Sequence, residues 1–98
     1  MSINGIYKVT LVLPKRTVTE LLKLEDAGDN VKGYLEVGGK DKVAFTGTLK
    51  SNNFVFRIQV GPGTVDFKGF ADGKKVSGEV TVDNITSHFE GNNVAKLS

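Results

Sequence analysis

Three side chains able to carry chemistry, Glu20, Ser87 and Tyr7, fall where the surrounding pattern calls for apolar residues. Glu20 lies between Val18 and Leu22 on the face of its segment that alternation marks as inward. An unpaired carboxylate on that face costs several kcal/mol or takes up a proton, so it needs a partner, water at a rim, or a ligand. Ser87 interrupts the inward series of the last apolar segment, and Tyr7 brings a phenol from the first. If those two segments adjoin, Ser87 and Glu20 would flank Leu11 at about one level, with Tyr7 nearby. A few converging polar groups in an apolar interior are what a small-molecule site requires. A carboxylate whose pKa is raised by burial also suits proton transfer as a general acid or base. Two other readings of Glu20 stay open: a solvated rim position beside Lys15 or Arg16, and a buried structural partner of Ser87 or Tyr7.

Other reactive residues do not assemble into a site. His88 is the only histidine and takes outward parity beside Phe89, away from any Ser/His/Asp arrangement or metal-ligand set. Glu25, Asp26 and Asp29 share a turn without the ligand register of a calcium loop. The paired glycines lack the strand-to-helix context of a phosphate-binding loop. Lys32-Gly33-Tyr34 and Lys68-Gly69-Phe70 look superficially like RNA-binding strand motifs but lack the αβ order of those modules. No metal, no cofactor and no catalytic residue is therefore assigned.

The elements that must position these residues read as strands. Alternating β-branched and aromatic residues, bounded by Gly, Asn, Asp and Pro clusters, predict eight: Ile6 to Leu13, Thr17 to Leu24, Val31 to Val37, Lys42 to Leu49, Phe54 to Val60, Thr64 to Ala71, Lys75 to Val82 and Ile85 to Gly91. Within them Phe45-x-Gly47, Phe67-x-Gly69 and Phe89-x-Gly91 recur every 22 residues, one hairpin and its turns. The stretch 17–27 contains good helix formers, with Thr19 able to cap. Yet Val18, Glu20, Leu22 and Leu24 alternate, and the hairpin rhythm favours a strand. One apolar face per strand, short connections and no crossover helices predict an all-β, antiparallel, eight-stranded up-and-down barrel, with a two-sheet sandwich as the alternative. Inward glycines would let the strands bend, and Phe45, Phe54, Phe56, Phe67 and Phe89 would line the interior. A barrel of this size either fills itself or holds one small ligand.

A chain of 98 residues suits one domain, 1–98, with no cysteine for disulfides or thiolate metal sites. No apolar run is long enough to span a membrane as a helix. The start, Met1 to Gly5, lacks a secretory signal, so a cytoplasmic protein is expected. The net charge of +2 comes from 13 basic residues interleaved with 11 acidic ones, which argues against nucleic acid as a partner. Outward Val12, Leu21, Tyr34, Val55 and Phe70 would allow a homodimer if they adjoin.

Gly5-Ile6-Tyr7, followed by Lys8-Val9-Thr10-Leu11, resembles the opening strand of calycin barrels, the lipocalins and fatty-acid-binding proteins, with Tyr7 at the usual tryptophan position. Leu24, Gly28 and Val31-Lys32-Gly33, with the recurring Phe-x-Gly, resemble short bacterial barrel domains over nearly the whole chain. This likeness implies a barrel that binds small apolar molecules, or in some members acts as an isomerase, cyclase or decarboxylase. It transfers no ligand residue, since the helices that flank or cover those barrels have no counterpart here.

The function expected is binding of a small hydrophobic ligand in the interior, without catalysis. The five phenylalanines would form the wall, and Glu20, Ser87 and Tyr7 would orient a polar group. The alternatives are an isomerase or cyclase using Glu20, and a structural or partner-binding barrel with a filled core.

Overall fold

The computed structural model describes residues 2–95, and these form a closed barrel of eight antiparallel strands in chain order. The strands are β1 (Gly5–Val12), β2 (Thr17–Ala27), β3 (Asn30–Val37), β4 (Asp41–Lys50), β5 (Asn53–Val60), β6 (Gly63–Ala71), β7 (Lys75–Val82) and β8 (Ile85–Ala95). The ambiguous segment 17–27 is a strand throughout. Its leucines alternate toward the core, a face that a helix would not have buried in this register. β2 and β8 run further than the sequence suggests, to Ala27 and Ala95, because pairing with β3 and β1 carries them past the expected turn residues.

Hairpin chemistry is local. Ser51-Asn52 and Asp83-Asn84 each take positive φ at both positions (50° and 68°, 52° and 65°), the requirement of a two-residue type I′ turn whose twist matches that of the strands. Closure is not local: β1 pairs with β8 from Leu11↔Phe89 to Ile6↔Ala95, with a bulge between Ile6 and Tyr7. No helix among the described residues is long and apolar enough to cross a membrane.

The interior is packed with aromatic rings. Phe45 stacks on Phe56 at 3.6 Å and 5°, and Phe56 lies 4.7 Å from Phe67 and 5.7 Å from Phe54. Phe89 meets the Phe67 ring edge-on at 5.4 Å. The recurring glycines make room for this column. A Cβ at Gly69 would lie 2.5 Å from the Ser77 carbonyl oxygen and 2.9 Å and 3.1 Å from the Phe54 and Phe89 ring tips. Its cross-strand partner Gly78 is equally crowded, by the Lys68 carbonyl oxygen and by Gly69 itself. The glycines thus let neighbouring strands close tightly while rings lie over the bare backbone.

The wall is not uniform. β4 and β5 pair only at Thr48↔Val55, Leu49↔Phe54 and Lys50↔Asn53, next to their turn. The same register would set Gly47 against Phe56, Thr46 against Arg57, Phe45 against Ile58, Ala44 against Gln59 and Val43 against Val60, yet none of these pairs forms. Both strands continue through this stretch, β4 paired to β3 and β5 paired to β6. Past these pairs the two strands still lie close, since a Cβ at Gly47 would press on the Val55 carbonyl and the Phe56 side chain.

Candidate functional site

The two ends of the barrel differ. At the end where β1 begins, Ile3 folds inward and is 1% exposed, acting as a plug. The buried Tyr7 hydroxyl donates to the Ile3 carbonyl at 2.8 Å. The Asp26 amide donates to Asn4 Oδ1 at 2.7 Å, so the strap is tied to the end of β2. Asn93 Nδ2 donates to the Gly73 carbonyl and Asn52 Nδ2 to the Ala71 carbonyl, both at 2.8 Å, which satisfies the main chain around the same rim.

At the opposite end no such strap exists among the described residues. Leu13, Val18, Val37, Val43, Val65 and Val82, all inward near strand ends, are only partly buried against the core. Val60 and Ile85 continue the ring and are exposed. This ring of aliphatic side chains is the mouth.

Glu20 and Ser87, both half-buried, stand one inward step inside it, each two residues from a ring member on its strand (Val18 and Ile85). β2 loses its pairing to β3 at Leu21↔Glu36, and the Glu20 carboxylate there faces the Gly38 amide of the β3–β4 turn. Burial pushes its pKa above the usual carboxylate value. The Gly38 N–H and the Arg16 guanidinium pull it back, while Glu36 adds to the rise. Glu20 also borders a groove of about 400 Å³ on the outer side, with Lys8, Leu21, Glu36 and Gly39. It is a rim residue, turned to the interface between interior and solvent.

The register gives the neighbours of the expected cluster around Leu11. Glu20 stands opposite Val9, and Leu11 is opposite Phe89 on one side and Val18 on the other. Ser87 pairs with Val80 and lies beyond the last β1–β8 pair, nearer the mouth than Phe89. Tyr7 belongs to the plugged half, where it pairs with Leu22 and Asn93, so its phenol does not join the other two. Burial raises its pKa, partly offset by the Gly73 amide.

Phe45, Phe54, Phe56, Phe67 and Phe89 all point inward, but they touch one another and so form a column rather than the wall of a hollow. The sequence reading missed Ile3 as a plug and the asparagines that tie the closed rim. An isolated isoleucine before a Gly-x-aromatic opening is too short a signal to find a plug. On the outer face, Val55 and Phe70 are 50% and 45% exposed and lie diagonally across β5 and β6, where Phe70 pairs with Asn53 and Lys68 with Val55. Tyr34 is separate from them, covered by the Lys42 and Lys23 ammonium groups at 5.0 Å and 5.7 Å from its ring.

These features define a small up-and-down β-barrel with one end plugged and the other ringed by partly buried aliphatic side chains. Neither a family model nor a curated protein matches the chain.

Proposed function

We propose that the barrel binds a small apolar molecule through its open end, with Glu20 and Ser87 as the polar contacts and the phenylalanine column as the floor. The observation that carries this reading is the asymmetry of the ends. One is plugged by Ile3 and hydrogen-bonded shut, and the other carries a ring of partly buried aliphatic side chains beside the half-buried Glu20 and Ser87. Apolar lining with few polar groups is the usual make-up of a ligand site. The likeness of Gly5-Ile6-Tyr7 to calycin openings supports the same class of ligand. Glu20 would hydrogen-bond a polar group on the ligand, and no covalent step is needed. Titration with the neutral fluorophore N-phenyl-1-naphthylamine tests this. Saturable enhancement that weakens at least tenfold in Val18→Asp and Val82→Asp supports the mouth site. Absence of saturable binding refutes it.

A second reading rests on the ring contacts, which favour a filled barrel working through its outer face. There Val55 and Phe70 would meet a second copy of the chain. Sedimentation that finds only a 10.5 kDa species at millimolar concentration removes it.

A further inference from the structure

The outer face of the barrel carries a polar groove of about 410 Å³, remote in character from the apolar mouth. It lies over β8, with β7 on one side and β1 on the other. Its lining depends on closure, because β1 and β8 come from opposite ends of the chain and meet only where the ring shuts.

Two ladders fix which side chains share the groove. Lys8 of β1 and Lys75 of β7 both stand opposite Asn92 of β8, so the three form one row across the strands. Thr10 and Ser77 both stand opposite Glu90, which makes a second row. All six are exposed, and the residues between them, Val9, Val76 and Gly91, take the inward face. Neighbouring strands are about 4.8 Å apart and alternate residues of one strand about 7 Å apart. The two lysine backbones are therefore about 10 Å apart, and the rows about 7 Å apart. Both rows ride on β8, which is hydrogen-bonded on each side, so their spacing is held by the wall itself.

The charges in the groove are unspent. Lys8, Lys75 and Glu90 form no ion pair with any described residue, whereas Lys23, Lys32 and Arg57 elsewhere on the outer face do. The first row offers two ammonium groups on long stems and an amide N–H between them, donors suited to one phosphate. The second offers a carboxylate that accepts and two hydroxyls that accept or donate, suited to the hydroxyls of a polyol. A bare anion is attracted by the lysines but repelled by Glu90. A ligand with an anionic end and hydroxyls about 7 Å away satisfies both rows.

We propose that this groove binds a phosphorylated sugar, its phosphate on Lys8, Asn92 and Lys75 and its ring hydroxyls on Glu90, Thr10 and Ser77. The site is separate from the mouth, and neither reading depends on the other.

Titration of glucose 6-phosphate into isotopically labelled protein, followed by amide NMR, tests it. Saturable shifts at millimolar ligand are expected on the β1, β7 and β8 residues of the two rows. Inorganic phosphate and glucose should each bind at least tenfold more weakly. Lys8→Gln with Lys75→Gln should weaken the sugar phosphate at least tenfold. Glu90→Gln removes an acceptor and a repulsion together, so it should weaken glucose 6-phosphate and tighten inorganic phosphate. All three positions are exposed, so the fold does not depend on them. Absence of saturable shifts with glucose 6-phosphate overturns the proposal, as does binding that survives loss of both lysines. Inorganic phosphate held as tightly as the sugar phosphate by the unsubstituted protein also overturns it, leaving only a basic patch.

Discussion

The Tyr7 hydroxyl and the Ile3 carbonyl, four residues apart in the chain, meet at 2.8 Å inside one end of the barrel, and that bond holds the plug in place. The donor stands on β1 and the acceptor on the strap that precedes it. The first strand thus carries the latch for its own leading segment, and the Gly73 amide facing the same oxygen ties in the β6–β7 turn.

Tyr7→Phe leaves the ring packed but strips the Ile3 carbonyl of its donor. Leaving buried polar groups unmet costs about 1–3 kcal/mol, and urea unfolding should show a loss of that size. The fold keeps the phenol protonated, since burial raises its pKa. The stability tied to that proton is whole below about pH 10, the ordinary tyrosine value, and is lost as pH rises through the raised one. The phenylalanine variant should lack this alkaline component.

Glu20→Gln should stabilise the protein at neutral pH and leave it unchanged in acid. Burial lifts the Glu20 pKa, so the folded state holds its proton more tightly than the unfolded chain does. The wild type therefore loses stability as pH rises from about 4.3 through the raised value, and the amide does not. Melting temperatures at pH 3.5 and 7.5 check the sign. A variant that is less stable at both would mean that the contact with the Gly38 amide outweighs the burial of charge.

Gly78→Ala tests the close approach of β6 and β7. The new methyl would run into the Lys68 carbonyl and the Cα of Gly69, both backbone, which cannot turn aside as a side chain can. Overpacking of this kind costs about 1–3 kcal/mol, and thermal unfolding should register it. Gly39→Ala, in a turn with open space around it, would instead be strained by its φ of 72° alone.

Phe67→Ala removes the ring shared by the Phe56 and Phe89 contacts. A loss of about 3–5 kcal/mol is expected by urea unfolding, the usual cost of an aromatic-sized cavity. Benzene should restore part of it by occupying the space. A smaller loss without benzene rescue would show that the column collapses to fill the gap.

The barrel's strands were legible because their causes are local. Alternation at Phe54-Val55-Phe56 marks one inward face, since successive side chains leave a strand on opposite sides. Asp83-Asn84 marks a turn, since few residues accept left-handed φ in succession. Even the helix-rich 17–27 stretch yielded to period two. The inward parity of Glu20, Ser87 and the phenylalanines was therefore readable before any tertiary contact was known.

The positions of those residues along the barrel axis were not readable. That Glu20 stands opposite Val9 is set by the register of the β1–β2 hairpin, and that Tyr7 latches Ile3 by the fold of the preceding segment across the barrel end. The short β4–β5 ladder is of the same kind: β4 and β5 each look like complete strands, yet the pairing between them stops at Thr48 and Val55. Sequence alone determined which side of each strand is apolar, because that is written in neighbouring residues. Tertiary structure decided which levels meet and which end is plugged, because closure is a constraint on the whole ring.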